Sequence, residues 1–315
     1  MNILVTGGAG FIGANLCRAL AGAEDVDRII ALDDLSSGNR QNLSGVSGVE
    51  LVEGTVLDRD AVGDLVAGVD AIVHLAARPS VPRSLEDPWA SHEANATGTL
   101  SVLEAARASP PETRPHVVVA SSSSVYGANP TLPKSEGMVA LPLSPYAASK
   151  LATEAYTLAY GHSFGLDVLV FRFFNVFGPL QTAGHAYAAV VPAFISAALK
   201  GEPLTINGDG TQTRDFTYVG SVVEVLTAVL RQRLTHDTPV NLAFGSRVSL
   251  LELVEALEAV LGRPLPRRHA RSRQGDVAHS QADQRLLRNL LPDTVPVDLV
   301  EGLRLTVDWF EGAAR

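Results

Sequence analysis

Tyr146 and Lys150 stand four residues apart in the run Ser144-Pro145-Tyr146-Ala147-Ala148-Ser149-Lys150. Ser144 and Pro145 make a good helix start, with serine as cap and proline in the first turn, so the phenol and the ammonium share one helical face. A neighbouring cation favours phenolate and pulls the tyrosine pKa down, which predicts a proton acceptor. A second polar cluster, Ser121-Ser122-Ser123-Ser124, closes the apolar run 115–120. Hydroxyls at the carboxyl end of a parallel strand lie where α/β sheets bind ligands, and one there can share a substrate proton with Tyr146. A third group is the run N-I-L-V-T-G-G-A-G-F-I-G at 2–13, where an apolar strand meets Gly7, Gly8, Gly10 and Gly13 and a helix begins near Phe11. Such glycines let the backbone turn tightly and approach a pyrophosphate on the helix N-terminus. The next apolar run ends at Asp33, twenty residues after Gly13. A carboxylate there hydrogen-bonds a ribose diol and repels a 2′-phosphate, which predicts NAD rather than NADP.

These groups need a frame. Runs at 2–6, 28–33, 49–53, 70–75, 115–121 and 167–172 read as short buried strands, and most are separated by segments with helical periodicity. That alternation predicts an α/β fold, a Rossmann-type doubly wound parallel sheet with helices on both faces. It lasts to about residue 175, after which proline and glycine break the chain into shorter pieces, with helices expected near 249–261 and 297–311. The expected division is a NAD-binding domain at 1–175 and a smaller substrate-binding lobe at 176–315, some of whose segments return to the first domain. The Arg-rich piece Arg263–Arg273 reads either as a solvated loop or as a holder of an anionic substrate.

Composition narrows the function. Of 315 residues, 46% are hydrophobic and 19% charged, which excludes a disordered, collagen-like or coiled-coil chain. Thirty-four acidic against 25 basic residues give a net charge of −9 without a basic run, so no nucleic-acid partner is expected. The single Cys17 excludes an internal disulfide and a Cys-rich zinc site, and no metal is expected. No apolar run reaches the ~18–20 residues that span a bilayer, and the N-terminus lacks a basic leader. A soluble, cytoplasmic protein without a membrane partner is expected.

Several motifs in order carry a family resemblance. The glycine loop, H-L-A-A at 74–77, V-P-R-S at 81–84, S-S-S-S-V-Y-G at 121–127, S-P-Y-A-A-S-K at 144–150, R-F-F-N-V-F-G-P at 172–179, I-N-G-D-G-T-Q-T-R-D-F at 206–216 and R-Q-G-D-V-A-H-S-Q-A-D at 273–283 together resemble the extended short-chain dehydrogenase/reductases. Within them the chain looks like the nucleotide-sugar 4-epimerases of the UDP-glucose and UDP-N-acetylglucosamine type. The resemblance implies NAD-dependent oxidation at C4 of a UDP-hexose, a transient 4-keto sugar, and return of the hydride to its other face. It makes Ser122 the catalytic serine, Tyr146 the base, and Lys150 the group that holds the ribose and lowers the tyrosine pKa. It places Gly7, Gly10, Phe11, Ile12, Gly13, Asp33, Ser37, Gly38, Leu75, Ala76 and Ala77 along NAD. It assigns Asn175, Arg214, Arg273 and Asp276 to the nucleotide, and Ser80, Arg83 and Ser122–Ser124 to the sugar pocket.

Differences within the family sharpen the reading. Related 4,6-dehydratases carry an Asp–Glu pair where this chain has Ser123 and Ser124, and UDP-glucuronate decarboxylases usually keep Glu at the second. Hydroxyls cannot protonate a leaving group at neutral pH, which favours epimerisation over a dehydratase, decarboxylase or reductase on the same scaffold. The retained Tyr146 and Lys150 oppose a NAD-binding regulator without turnover. Ser280 stands where glucose-restricted epimerases often have tyrosine, so the resemblance implies room for an N-acetyl group. Asn175 replaces a threonine common in UDP-glucuronate epimerases, which makes glucuronate the less favoured substrate. Gly54-Thr55 departs from the usual Gly-Asp at the adenine, whose contacts would fall to the Thr55 hydroxyl and Val56. The family's paired helices imply a homodimer through 92–108 and 145–162, with Leu100, Leu103, Ala147, Leu151, Ala155 and Leu158 on the apolar faces.

Overall fold

The computed structural model describes residues 1–183, 188–271 and 278–313. Chain contacts divide it into a first unit of 1–127, 139–173 and 223–240, and a second of 128–138, 174–222 and 241–315.

In the first unit the Val/Ile/Leu runs form β1 (Asn2–Thr6), β2 (Arg28–Asp33), β3 (Val49–Glu53), β4 (Ala71–His74), β5 (His116–Ser122) and β6 (Val168–Phe173). They pair in parallel in the order β6-β5-β4-β1-β2-β3. Strands with both faces covered need apolar residues at every position, which is why these runs are continuous rather than alternating. The order reverses between β1 and β4, and such a reversal opens a crevice at the carboxyl ends of the strands. The helices are α1 (Phe11–Leu20), α2 (Arg59–Val66), α3 (Val81–Glu86), α4 (Pro88–His92), α5 (Gly98–Ala108) and α6 (Pro145–Phe164). The Ser144 hydroxyl caps α6 by accepting from the Ala147 N–H at 3.1 Å, and Gly165 ends it in the left-handed region.

Two expectations are corrected here. The single helix expected over 92–108 is interrupted, because Glu93–Thr97 forms a π-helical turn between α4 and α5. The Asn95 carbonyl inside that turn accepts from the hydroxyls of Thr99 at 2.5 Å and Thr153 at 3.1 Å, which bind α5 and α6 to it. Leu103 and Ala147, expected on a dimer face, are fully buried within the unit, Leu103 in the core with Val102, Val117 and Val119. Of that face Leu100, Leu151, Ala155 and Leu158 stay accessible.

The second unit contains β7 (Asn175–Phe177), α7 (Val190–Lys200), β8 (Leu204–Asn207), β9 (Thr213–Arg214) and β10 (Phe216–Tyr218). α8 (Val219–Gln232) starts there and ends in the first unit, whose last residue, Val240, opens β11 (Val240–Leu242), the seventh strand of the large sheet. β12 (Val248–Ser249), α9 (Leu250–Leu261), β13 (Arg267–Ala270), α10 (Arg285–Leu290) and α11 (Leu299–Ala313) complete it. Its strands form small pairs, β7 with β10, β8 with β13 and β9 with β12. A separate apolar core of Phe177, Phe194, Ile206, Phe216, Leu253 and Leu303 holds them. Among the described residues no helix is long and apolar enough to cross a membrane.

Candidate active site

The glycine loop shapes the first half of the site. Gly7 adopts φ +69°, and a Cβ on it would lie 2.8 Å from the Ala76 nitrogen, so the loop presses against the exit of β4. A Cβ on Gly13 would meet the Gly7 oxygen at 2.2 Å, which packs α1 against its own loop. At Gly10 the only near atom is that same oxygen, at 3.1 Å, and no side chain caps the α1 N-terminus. Uncapped amides at the positive end of a ten-residue helix suit a pyrophosphate. Phe11 and Ile12, half-buried, open that helix. Asp33, at the end of β2, accepts from the N–H groups of Ala9 and Leu35, both at 2.9 Å. Burial raises its pKa against these hydrogen bonds. Gly38 passes so close that a Cβ would sit 2.7 Å from an Asp33 oxygen, while Ser37 before it is exposed. Asp33 therefore pins the glycine loop, a role the sequence did not disclose.

Across the crevice, the Leu75 N–H donates to the Thr6 carbonyl and the Ala76 N–H to the Thr6 hydroxyl. His74 bridges the Thr6 hydroxyl at 2.7 Å and the Thr99 hydroxyl at 3.1 Å. Burial, with the Lys150 charge second, pushes its pKa down to about 3, so the imidazole is neutral. Ala77 follows, half-buried. The Thr55 hydroxyl accepts from the Leu57 N–H at 3.3 Å, and Val56 packs into the core. Ser80 holds an unusual φ of +99° while its hydroxyl accepts from the Arg83 N–H at 3.4 Å.

The catalytic candidates meet where β5 ends and α6 begins. Ser122 is the last residue of β5, and its hydroxyl is hydrogen-bonded to the Tyr146 phenol. Ser123 and Ser124 open the 3₁₀ turn that follows, and the Ser124 oxygen is buried without a hydrogen-bond partner. The Lys150 ammonium donates to the Ala120 carbonyl at 2.8 Å, and burial pushes its pKa down to about 8. Desolvation raises the Tyr146 pKa, and the Ser122 hydrogen bond opposes that rise.

Sequence reasoning missed Asn95. Its side chain accepts from the Arg78 N–H at 2.7 Å and donates to the Ser149 hydroxyl at 2.8 Å, between Tyr146 and Lys150 on α6. π-turns inside helices frequently mark functional sites, but no local residue pattern announces them.

In the second unit the nucleotide candidates gather around Asp215, which is fully buried. Its carbonyl accepts from the backbone and side-chain N–H groups of Asn175 at 3.2 and 3.3 Å. Its carboxylate accepts from the Ala282 N–H and the Ser246 hydroxyl, both at 2.9 Å. The preceding Arg214 donates to the carbonyls of Thr213 at 2.9 Å and Ala278 at 3.4 Å, and the Ser280 N–H donates to the Thr213 carbonyl at 3.0 Å. Asn175, Arg214 and Ser280, 105 residues apart at the extremes, are thus tied to the short segment 213–215. Burial pushes the Asp215 pKa up to about 6. Arg273 and Asp276 lie outside the described residues.

The NAD dependent epimerase/dehydratase family matches residues 3–243. The chain is 37% identical to a UDP-glucose 4-epimerase of Mycolicibacterium smegmatis, with all of both chains covered. The structure of a UDP-N-acetylglucosamine 4-epimerase from Methanobrevibacter ruminantium, solved with UDP-N-acetylmuramic acid, superposes with a TM-score of 0.91 at 35% identity, over 99% of this chain and 98% of that one. A UDP-glucuronic acid 4-epimerase from Bacillus cereus, solved with UDP-glucuronic acid and NAD, gives 0.88 at 30% identity, over 99% and 100%.

Proposed function

The chain belongs to the NAD dependent epimerase/dehydratase family, and on that premise we propose that it inverts C4 of a UDP-hexose. The observation that carries the proposal is the end of β5: Ser122 and Tyr146 are joined there, and the neighbouring Ser123 and Ser124 offer hydroxyls where elimination would need a carboxylic acid. When bound, NAD would supply the acceptor and then the donor of the C4 hydride. Tyr146 takes the 4-hydroxyl proton and returns it, with Ser122 holding the sugar oxygen in line. Lys150 binds the ribose and keeps positive charge under the reacting atoms. Asn175, Arg214, Arg273 and Asp276 hold the nucleotide, with guanidinium groups suited to a diphosphate.

Two sugar classes fit this reading. A serine at Ser280 leaves space for a C2 acetamido group, which favours UDP-glucose and UDP-N-acetylglucosamine. The buried, unpartnered Ser124 hydroxyl is a donor for a C6 carboxylate, which favours UDP-glucuronate. One experiment separates them: NMR of the purified protein with UDP-glucose, UDP-N-acetylglucosamine and UDP-glucuronate in turn, without added cofactor. The 4-epimer should form from at least one sugar. Steady accumulation of free NADH would sink the proposal, since epimerisation returns the hydride within each turnover.

A further inference from the structure

Behind the catalytic residues lies a buried ion pair, Glu154 with Arg172, that the proposed reaction leaves unused. Lys150 and Glu154 follow one another by a single turn on α6, at 4% and 2% exposure. The hydroxyl of Ser121, next to Ser122, donates to a Glu154 carboxylate oxygen at 2.5 Å and reaches the Lys150 carbonyl at 3.5 Å. Arg172 stands opposite Ser121 in the register of β5 and β6, and grips Glu154 through two hydrogen bonds of 2.9 and 2.7 Å. Its guanidinium also lies over the Tyr126 ring, 4.7 Å from the centroid.

Burying two charges to join three elements costs desolvation energy that well-packed apolar side chains would avoid. The placement of the pair suggests what offsets that cost. Neutral His74 faces Lys150 from β4, Ser121 and Ser122 come from β5, Tyr146 and Glu154 come from its own helix, and Arg172 of β6 meets Glu154. Glu154 is the one negative group among them. It acts against burial to raise the Lys150 pKa.

We propose that Glu154 is a positioning residue for Lys150, locking its turn of α6 to the strand end that carries Ser122 and serving as the counter-charge of its ammonium. This rests on the catalytic role given to Lys150 above. Arg172 orients the carboxylate so that Ser121 and Lys150 share its field.

The chain has three lysines, Lys134, Lys150 and Lys200, so side-chain NMR of lysine-labelled, NAD-loaded protein can follow each ammonium. In Glu154→Gln the Lys150 titration midpoint should fall by about one pH unit, the order expected for a lost opposite charge. The alkaline limb of kcat should move with it, while KM for the UDP-sugar stays put. Glu154→Asp, which keeps the charge, should restore most of the midpoint. The double variant Glu154→Gln/Arg172→Gln should recover stability but keep the lowered midpoint. An unchanged midpoint in folded Glu154→Gln, or a return to the wild-type value in the double variant, overturns the proposal. Should Glu154→Gln not fold, the double variant and Glu154→Asp still decide it. Wild-type turnover in Lys150→Met would instead sink the catalytic reading and leave the NMR shift standing.

Discussion

Each unit buries a carboxylate at the root of its candidate residues, and the two are held in different ways. Glu154 in the first unit meets a guanidinium through two hydrogen bonds. Asp215 in the second accepts from an amide and a serine hydroxyl, and its pKa rises to about 6 because burial outweighs those bonds. The guanidinium compensates the buried charge of Glu154, whereas at Asp215 burial outweighs what the neutral donors return. The second arrangement suits a junction of three loop segments, where backbone donors need an acceptor.

The comparison can be broken first at the chemistry. Tyr146→Phe should lower kcat by roughly 10²–10⁴-fold, the usual loss for a general acid–base group, with the fold and UDP affinity intact. Near wild-type turnover would remove the first unit from proton transfer. Next comes the ion pair. Arg172→Met leaves Glu154 buried without its cation and should cost about 3–5 kcal/mol in a denaturant titration, with much less lost when Glu154 is replaced as well.

The second unit gives a smaller, pH-dependent effect. Its raised carboxyl pKa means that Asp215 binds its proton more tightly folded than unfolded. The associated stability is present below the unfolded value of 3.8 and is lost as pH rises through about 6. Two pKa units correspond to about 3 kcal/mol at most. The unfolding free energy of wild type minus that of Asp215→Asn should therefore fall between pH 4 and pH 6, and a flat difference would show that Asp215 is not held as described. The smallest effect concerns selectivity. Ser280→Tyr should reduce activity on UDP-N-acetylglucosamine by about tenfold while sparing UDP-glucose, since a phenol fills the space an acetamido group needs. Equal loss on both sugars would mean damage to nucleotide binding, not a size filter.

Much of the first unit was legible in the chain. Its six strands fall within one or two residues of the runs read at 2–6, 28–33, 49–53, 70–75, 115–121 and 167–172. The late helices expected at 249–261 and 297–311 form at Leu250–Leu261 and Leu299–Ala313. The π-turn at Glu93–Thr97 was not legible, because it is set by hydroxyls of Thr99 and Thr153 reaching one carbonyl. Asp215 was hidden for a similar reason: its donors, Ser246 and Ala282, lie 31 and 67 residues away.

By itself the sequence determined the alternation of strands and helices, the glycine loop and the spacing of Tyr146 and Lys150. Those are short-range properties, set by apolar period, turn chemistry and helix caps, which a chain expresses before it meets its distant parts. Tertiary structure alone decided which partners the buried polar groups take. Lys150 turns to the Ala120 carbonyl, Glu154 to Ser121 and Arg172, and Asp33, expected at a ribose, to the glycine loop. A buried donor or acceptor must be satisfied wherever packing leaves it, and the sheet brings together residues that no local pattern connects.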